Sequence, residues 1–213
     1  MPKRRSKGFA NPAQTWDARF SADDYIFGTE PNVWLAQHQA LLAPGSQVLA
    51  VADGEGRNSV WLAQQGMHVD AFDISPVGVA KARKLADSAG VAVNFTICDC
   101  NDWDWQANRY DAVVAIFIQF VDPDTRKRLF AHIVDCLKPG GLLLLQGYTP
   151  RQLEYKTGGP PLLDHLYTED LLREEFPSLD ILELTSYESV LREGTQHSGQ
   201  SAVIGFVGKK PLG

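Results

Sequence analysis

The run Val48-Leu49-Ala50-Val51-Ala52-Asp53-Gly54-Glu55-Gly56-Arg57-Asn58-Ser59 constrains this chain more than any other stretch, because it reads as a strand, a glycine turn and the start of a helix. Two glycines one residue apart let the backbone turn sharply and approach a ligand, and the helix that follows presents unpaired N–H groups at the same place. Glycine turns also occur in ligand-free sheets, so the turn alone decides little. Asp73 adds the needed second signal: it follows Gly56 by 17 residues, at the tip of the strand expected over 67–72. A carboxylate there accepts both ribose hydroxyls of a nucleoside, which points to an adenosine-containing cofactor.

Charge selects among such cofactors. The turn carries Asp53 and Glu55. A pyrophosphate about 4 Å from an ionised carboxylate meets repulsion of about 4 kcal/mol per charge pair at an effective dielectric near 20. The third glycine of the dinucleotide fingerprint is absent too, since Arg57, Asn58 and Ser59 follow Gly56. S-adenosylmethionine, which carries a sulfonium and an amino group, suits an acidic turn better.

Further pieces follow in order: Trp16-Asp17-Ala18-Arg19-Phe20, Phe27-Gly28-Thr29-Glu30-Pro31-Asn32, Asp73-Ile74-Ser75, Cys98-Asp99-Cys100, Tyr110-Asp111-Ala112-Val113-Val114, Leu137-Lys138-Pro139-Gly140-Gly141 and Leu166-Tyr167-Thr168. With these the chain, from about 16 to 210, resembles a class I S-adenosylmethionine-dependent methyltransferase. It is most similar to the small bacterial tellurite-resistance and thiopurine methyltransferase-like proteins. The resemblance implies an α/β fold of three layers, Rossmann-like, with a mostly parallel sheet and an antiparallel C-terminal strand. Two positions depart from the pattern: Ala50 stands where the family carries an acid, and Ala52 where it carries glycine. The missing acid normally supports the methionine amino group, and Asp53 or Glu55 is the candidate substitute.

A chain of 213 residues with 44% hydrophobic content suits one α/β domain. We expect a flexible tail over 1–12, an N-terminal lid and helix over 13–45, and the Rossmann-like core over 46–213. No apolar run spans a membrane and no apolar signal core follows Met1, so a cytoplasmic protein is expected. The net charge of −6 argues against a nucleic-acid partner. Lys3, Arg4, Arg5 and Lys7 form the dense basic run, read as a solvated tail. The three cysteines, Cys98, Cys100 and Cys136, show no metal spacing and are expected as reduced thiols, with no metal bound. A monomer and a homodimer are both open.

Apolar β-rich runs alternate with helical stretches, the pattern of a sheet covered on both faces. Strands are expected at about 47–51, 68–72, 92–97, 110–116 and 141–147, and helices at 31–42, 58–65, 76–88 and 124–137. The last of these is expected to stop at Lys138-Pro139-Gly140-Gly141. A helix reaching about 176 then precedes strand-like runs at 180–191 and 200–209, which pair antiparallel. Dehydrogenase sheets stay parallel, so this end of the chain counts against a nicotinamide cofactor.

Ligands of open α/β sheets sit beyond the C-terminal strand ends. Gly54 and Gly56 would pass under the methionine part and Asp73 would hold the ribose. Arg57 and Asn58 either cap the helix or touch the cofactor carboxylate. The resemblance adds Asp99 and the Cys100 amide for the adenine amino group and edge, with Ile74 and Ile116 flanking the ring. Trp16, Tyr25, Phe27 and Trp34 precede the sheet and read as an aromatic lid, whose faces attract a sulfonium. The loop 148–166 reads as the substrate wall, with Arg151, Tyr155, Lys156, Asp164, His165 and Tyr167 as polar candidates, joined by Arg19 and His197. Phe117, Gln119 and Phe120 would border the methyl group.

Alignment alone supplies roughly 7–11 kcal/mol of a methyl-transfer barrier, and a soft nucleophile needs no protein base. The expected reaction is methyl transfer to a small-molecule thiol or selenium or tellurium species. Two alternatives stand: a non-catalytic cofactor-binding or partner-binding relative, suggested by Ala50 and Ala52, and a nicotinamide-dependent oxidoreductase.

Overall fold

A computed structural model describes residues 11–212; the basic run at 3–7 and the segment 1–10 lie outside the described residues. Seven strands form one sheet: β1 (Gln47–Val51), β2 (His68–Asp73), β3 (Asn94–Ile97), β4 (Tyr110–Ile116), β5 (Leu137–Tyr148), β6 (Asp180–Glu193) and β7 (His197–Lys209). Their order is β3-β2-β1-β4-β5-β7-β6. Strands β1 to β5 pair in parallel, and β7 runs antiparallel to both β5 and β6. The strand order reverses at β1, so the crevice beyond β1 and β4 is where such a sheet takes a ligand.

The helices are α1 (Pro12–Phe20), α2 (Val33–Gln37), α3 (Arg57–Gln64), α4 (Pro76–Ala89), α5 (Pro123–Cys136), α6 (Gln152–Tyr155) and α7 (Glu169–Glu175). Local chemistry sets their starts. Ser75 and Asp122 accept hydrogen bonds from Gly78 and Thr125 at the heads of α4 and α5, and a proline follows each cap. Leu49, Phe72, Val113, Phe130, Ile133, Leu143 and Phe206 fill the sheet face under α5 and α7. Leu35, Val48, Leu62, Val69, Leu144 and Val207 fill the opposite face, under α2 and α3.

Several expected boundaries move, among them the start of the last strand, at His197 rather than 200. The helix expected over 31–42 is α2 followed by a 3-10 turn, Gln39–Leu41. His38 sits at the break, where its Nδ1 takes up the Trp34 carbonyl at 2.8 Å and its Nε2 reaches Glu183. Strand β3 starts two residues later than expected, at Asn94. Pro139 and Gly140 do not interrupt β5, which begins at Leu137 opposite Tyr110. A bulge between Tyr110 and Ala112 absorbs the extra residues, and Gly140 takes φ +80° while its N–H donates to the Lys210 carbonyl.

Trp34 is core rather than lid. Its ring is 4% exposed and lies against Gly205 of β7, where any Cβ would meet Trp34 Nε1 at 2.5 Å. Tyr25 also lies outside the lid: its hydroxyl donates to the Lys81 carbonyl on α4.

Candidate active site

A cavity of about 650 Å³ opens beyond the C-terminal ends of β1, β2, β4 and β5. That is ample for a cofactor and a small second molecule. The strand tips supply its floor: Ala50 to Gly54 after β1, Asp73 and Ile74 after β2, Cys98 to Asn101 after β3, and Ile116, Phe117 and Gln119 to Asp122 after β4. Pro12, Trp16, Arg19, Phe20 and Phe27 close it from the N-terminal side, and Tyr148, Gly159 to Leu162, His165 and His197 from the other.

Asp73 accepts from the Gly54 amide at 2.9 Å on one oxygen and from the Ser75 amide at 2.8 Å on the other. Each oxygen keeps a lone pair for a ligand. Asp99 accepts both bonds from Asn101 on Oδ1, which leaves Oδ2 without a side-chain or backbone donor. Asp53 accepts from the Ser59 amide and hydroxyl. It thereby caps α3, whose N-cap is the side-chain-less Gly56. Ala52 holds φ +49°, a conformation natural to the glycine that the resemblance expects there.

Burial pushes Asp53 up to about 7 and Asp73 up to about 6, against the bonds from Ser59, Ser75 and Gly54 that pull them down. Both folded values exceed 3.8, the ordinary one. The folded chain therefore holds protons that the unfolded chain releases. This stabilisation is full below about pH 3.8 and is lost as pH rises through 6 and 7. The ligand-free protein should melt at lower temperature at pH 8 than at pH 5, by an amount on the order of a few kcal/mol, and Asp53→Asn should flatten that fall. A melting temperature indifferent to pH in both proteins would contradict this. Cys98 and Cys100 are pushed by burial to about 11 and about 12, so neither offers a thiolate nucleophile.

Several expected site residues lie elsewhere. Gly56 is outside the cavity: a Cβ on it would meet the Ala82 Cβ of α4 at 2.6 Å, so the position serves helix packing. Glu55 turns away to an ion pair with Lys81 at 2.5 Å, which leaves Asp53 as the acid of the turn on the cavity wall. Arg57 and Asn58 line the cavity but are committed within the chain. Arg57 donates to Glu193 at 2.7 Å and to the Phe27 carbonyl, and Asn58 Oδ1 accepts from the Asn32 amide. Arg151 and Tyr155 both reach outward to Glu188 on β6. Tyr167 is fully buried against Phe130, and Lys156 and Asp164 stay off the cavity wall. Arg19, Phe27, His165 and His197 do line it, with the Arg19 guanidinium 4.5 Å from the centre of the Trp16 ring.

Phe20, Tyr148 and the Arg57–Glu193 partnership were not read from the sequence. Glu193 is 5% exposed and also accepts from Asn32 Nδ2 at 3.0 Å and the Val33 amide at 3.1 Å. Burial would raise it, yet His197, Arg57 and the Val33 amide together hold it down at about 2. His197 packs between Phe27 and Phe117, each 4.4 Å away, with Tyr148 edge-on at 5.7 Å. Phe117 holds φ +56°, a strained backbone for a bulky residue, to stack on Tyr148 at 4.6 Å. Neither His197 Nδ1 nor the Tyr148 hydroxyl has a hydrogen-bond partner, at about 1–3 kcal/mol each for a buried polar group.

Residues 48–141 match the model of a methyltransferase domain. Phosphoethanolamine N-methyltransferase 2 of Caenorhabditis elegans is 27% identical over 166 residues, 71% of this chain and 38% of that protein. The chain spans about a quarter to two fifths of the length of the curated relatives it matches first. A solved structure from work on the conversion of a disulfide bond into a thioacetal group during echinomycin biosynthesis shares the fold. Its TM-score is 0.77 at 18% identity, over 95% of this chain and 93% of that one. TehB from Haemophilus influenzae gives a TM-score of 0.68 at 16% identity, over 93% and 66%. Residues 48–141 are thus similar to a methyltransferase domain, and the fold is the Rossmann-like α/β architecture with an antiparallel C-terminal strand pair. The likeness to TehB is one of fold.

Proposed function

We propose that the protein transfers a methyl group from S-adenosylmethionine to a small-molecule nucleophile, a thiol or a selenium or tellurium species. One observation carries the reading: a single cavity is lined by Asp53, Asp73 and Asp99 from the strand tips and also by Arg19, His165, His197 and aromatic rings. Above about pH 7, where Asp53 and Asp73 have given up their protons, these carboxylates favour a cation and repel a pyrophosphate, which counts against the nicotinamide alternative.

When bound, the cofactor supplies an electrophilic methyl group on a sulfonium. In this reading Asp73 holds the ribose hydroxyls, Asp99 and the Cys100 amide meet the adenine edge, and Ile74 and Ile116 flank the ring. Gly54 lets the chain pass under the methionine part, and Asp53 replaces the acid missing at Ala50. Trp16, Phe20 and Phe27 exclude water and face the sulfonium. A sulfur acceptor agrees with the similar fold from work on the thioacetal of echinomycin.

Calorimetric titration with S-adenosylmethionine and S-adenosylhomocysteine tests this directly. Binding is expected in the wild type, weakened about 10- to 150-fold in Asp73→Asn, which loses one charged acceptor. Methyl transfer is then sought across thiols, selenite and tellurite. Absence of binding in the wild type would overturn the reading; binding without transfer to any acceptor would favour the non-catalytic alternative, which Ala50 motivates.

A further inference from the structure

The cavity wall contains a polar atom that the protein itself leaves unused, beside a histidine. The Tyr148 hydroxyl is buried and unpartnered, and its ring lies edge-on to His197, whose Nδ1 turns toward Glu193; both residues line the cavity and are 1% and 8% exposed. Gly158 and Gly159 make room for Tyr148: a Cβ on Gly158 would meet its hydroxyl at 3.1 Å, and one on Gly159 would meet its ring at 2.7 Å. An orphaned hydroxyl at a cavity wall, on a ring stacked against a strained Phe117, points to a molecule that completes it.

We propose that His197 is the proton acceptor of this subsite and that the methyl acceptor is a neutral thiol, seated against Phe117 and Tyr148. The inference rests on the methyl-transfer reading and names its substrate class. Glu193 Oε2 lies 3.9 Å from Nδ1, too far for a hydrogen bond but near enough for its charge to favour the tautomer protonated there. Nε2 is then the basic atom. Burial keeps the ring neutral by pushing it below the ordinary histidine value. The charges facing it are Glu193 from the hairpin, Arg57 from α3 and Arg19 from α1, with the Tyr148 hydroxyl on β5. Arg57 is already paired with Glu193, so the carboxylate acts as a positioning residue for both.

In the step, the S–H proton passes to Nε2 while the acceptor sulfur forms its bond to carbon and the sulfonium–methyl bond breaks. One cation is consumed and one imidazolium appears, which releases its proton to water afterwards. The Tyr148 hydroxyl donates to the acceptor sulfur and fixes its line of approach. Burial raises this phenol well above its ordinary value, so it remains a donor throughout.

Two acceptors separate this role from mere packing: 2-mercaptoethanol, largely protonated at pH 7, and 4-nitrothiophenol, largely ionised. His197→Gln should lower kcat/KM for the alkanethiol by about 100-fold or more and for the arenethiol by less than about threefold. It should also remove the acidic limb of the alkanethiol pH profile. Tyr148→Phe should weaken both acceptors alike. A second readout is independent of turnover: in the presence of S-adenosylhomocysteine, 2-mercaptoethanol should shift the His197 ring titration by NMR to lower pH, and its methyl thioether should not. Equal losses with both thiols, activity confined to pre-ionised acceptors, or an unmoved ring titration would each overturn the proposal. Failure of S-adenosylhomocysteine to bind in calorimetry would instead strike the methyl-transfer reading, since thiol binding is followed separately at the ring.

Discussion

Glu193→Ala is expected to destabilise the protein by about 3–5 kcal/mol, because it leaves the Arg57 guanidinium buried without its partner. Arg57 is only 6% exposed, and its bond to Glu193 spans 2.7 Å. The same carboxylate holds Asn32 Nδ2 and the Val33 amide, so its removal orphans several donors at once. For a chain of this size the melting temperature should fall by about 6–20 °C, measurable by thermal unfolding. Acid should reproduce part of the effect. Glu193 is held at about 2, below the ordinary 4.5, so its stabilisation is present above 4.5 and lost as pH falls toward 2. The double replacement Arg57→Met with Glu193→Leu should recover most of the loss, since an apolar pair leaves no buried charge. A single variant as stable as wild type would show that the pair is not buried as described.

Gly56→Ala should cost about 3 kcal/mol or more for a different reason. The added Cβ would stand 2.6 Å from Ala82 Cβ and 2.8 Å from its Cα, and neither atom swings aside as a long side chain does. The backbone there has φ +91°, which an alanine adopts at about 1–2 kcal/mol. Overpacking between α3 and α4 adds about 1–3 kcal/mol. Ala82→Gly in the same chain should restore part of the loss, which denaturant titration can read as a shift of midpoint without a change of slope. If cofactor affinity fell while stability held, Gly56 would instead be serving the ligand.

These two positions also mark where sequence reading succeeds and where it stops. The alternation of apolar runs exposed the layers, and the antiparallel end of the sheet was readable from two strand-like runs after 180. The place of Asp73 and Ile74 on the cavity wall was legible because chain order puts the tip of the second strand beside the first. Gly56 was legible as a glycine but not in its purpose, since whether a missing Cβ admits a ligand or a helix depends on a neighbour 26 residues away. Trp34 looked like lid because nothing local shows that Gly205 opens a slot for an indole. Arg57 and Glu193 are 136 residues apart, and no periodicity links them. Tyr148, Arg151, Tyr155 and Tyr167 fall within one loop and its ends, yet only Tyr148 lines the cavity. That choice is made by Gly158 and Gly159 beneath its ring and by Glu188, which draws Arg151 and Tyr155 outward.

The hairpin tip between β6 and β7 grips the segment between α1 and α2: the Thr195 and Gln196 amides donate to the Ile26 carbonyl, and Gly194 lies so close to that carbonyl that a Cβ would sit 2.3 Å from it. Strand β7 itself slots between β5 and β6, although it is made after both. During synthesis, then, β1 to β5 can form their pairs while β6 has no neighbour to join, and residues 26–33 have nothing to hold them over the crevice. Residues 194–196 must leave the ribosome before the tip can hold the segment around Ile26. The crevice is thus covered from this side only after the hairpin has been made, well after the strands that form its floor.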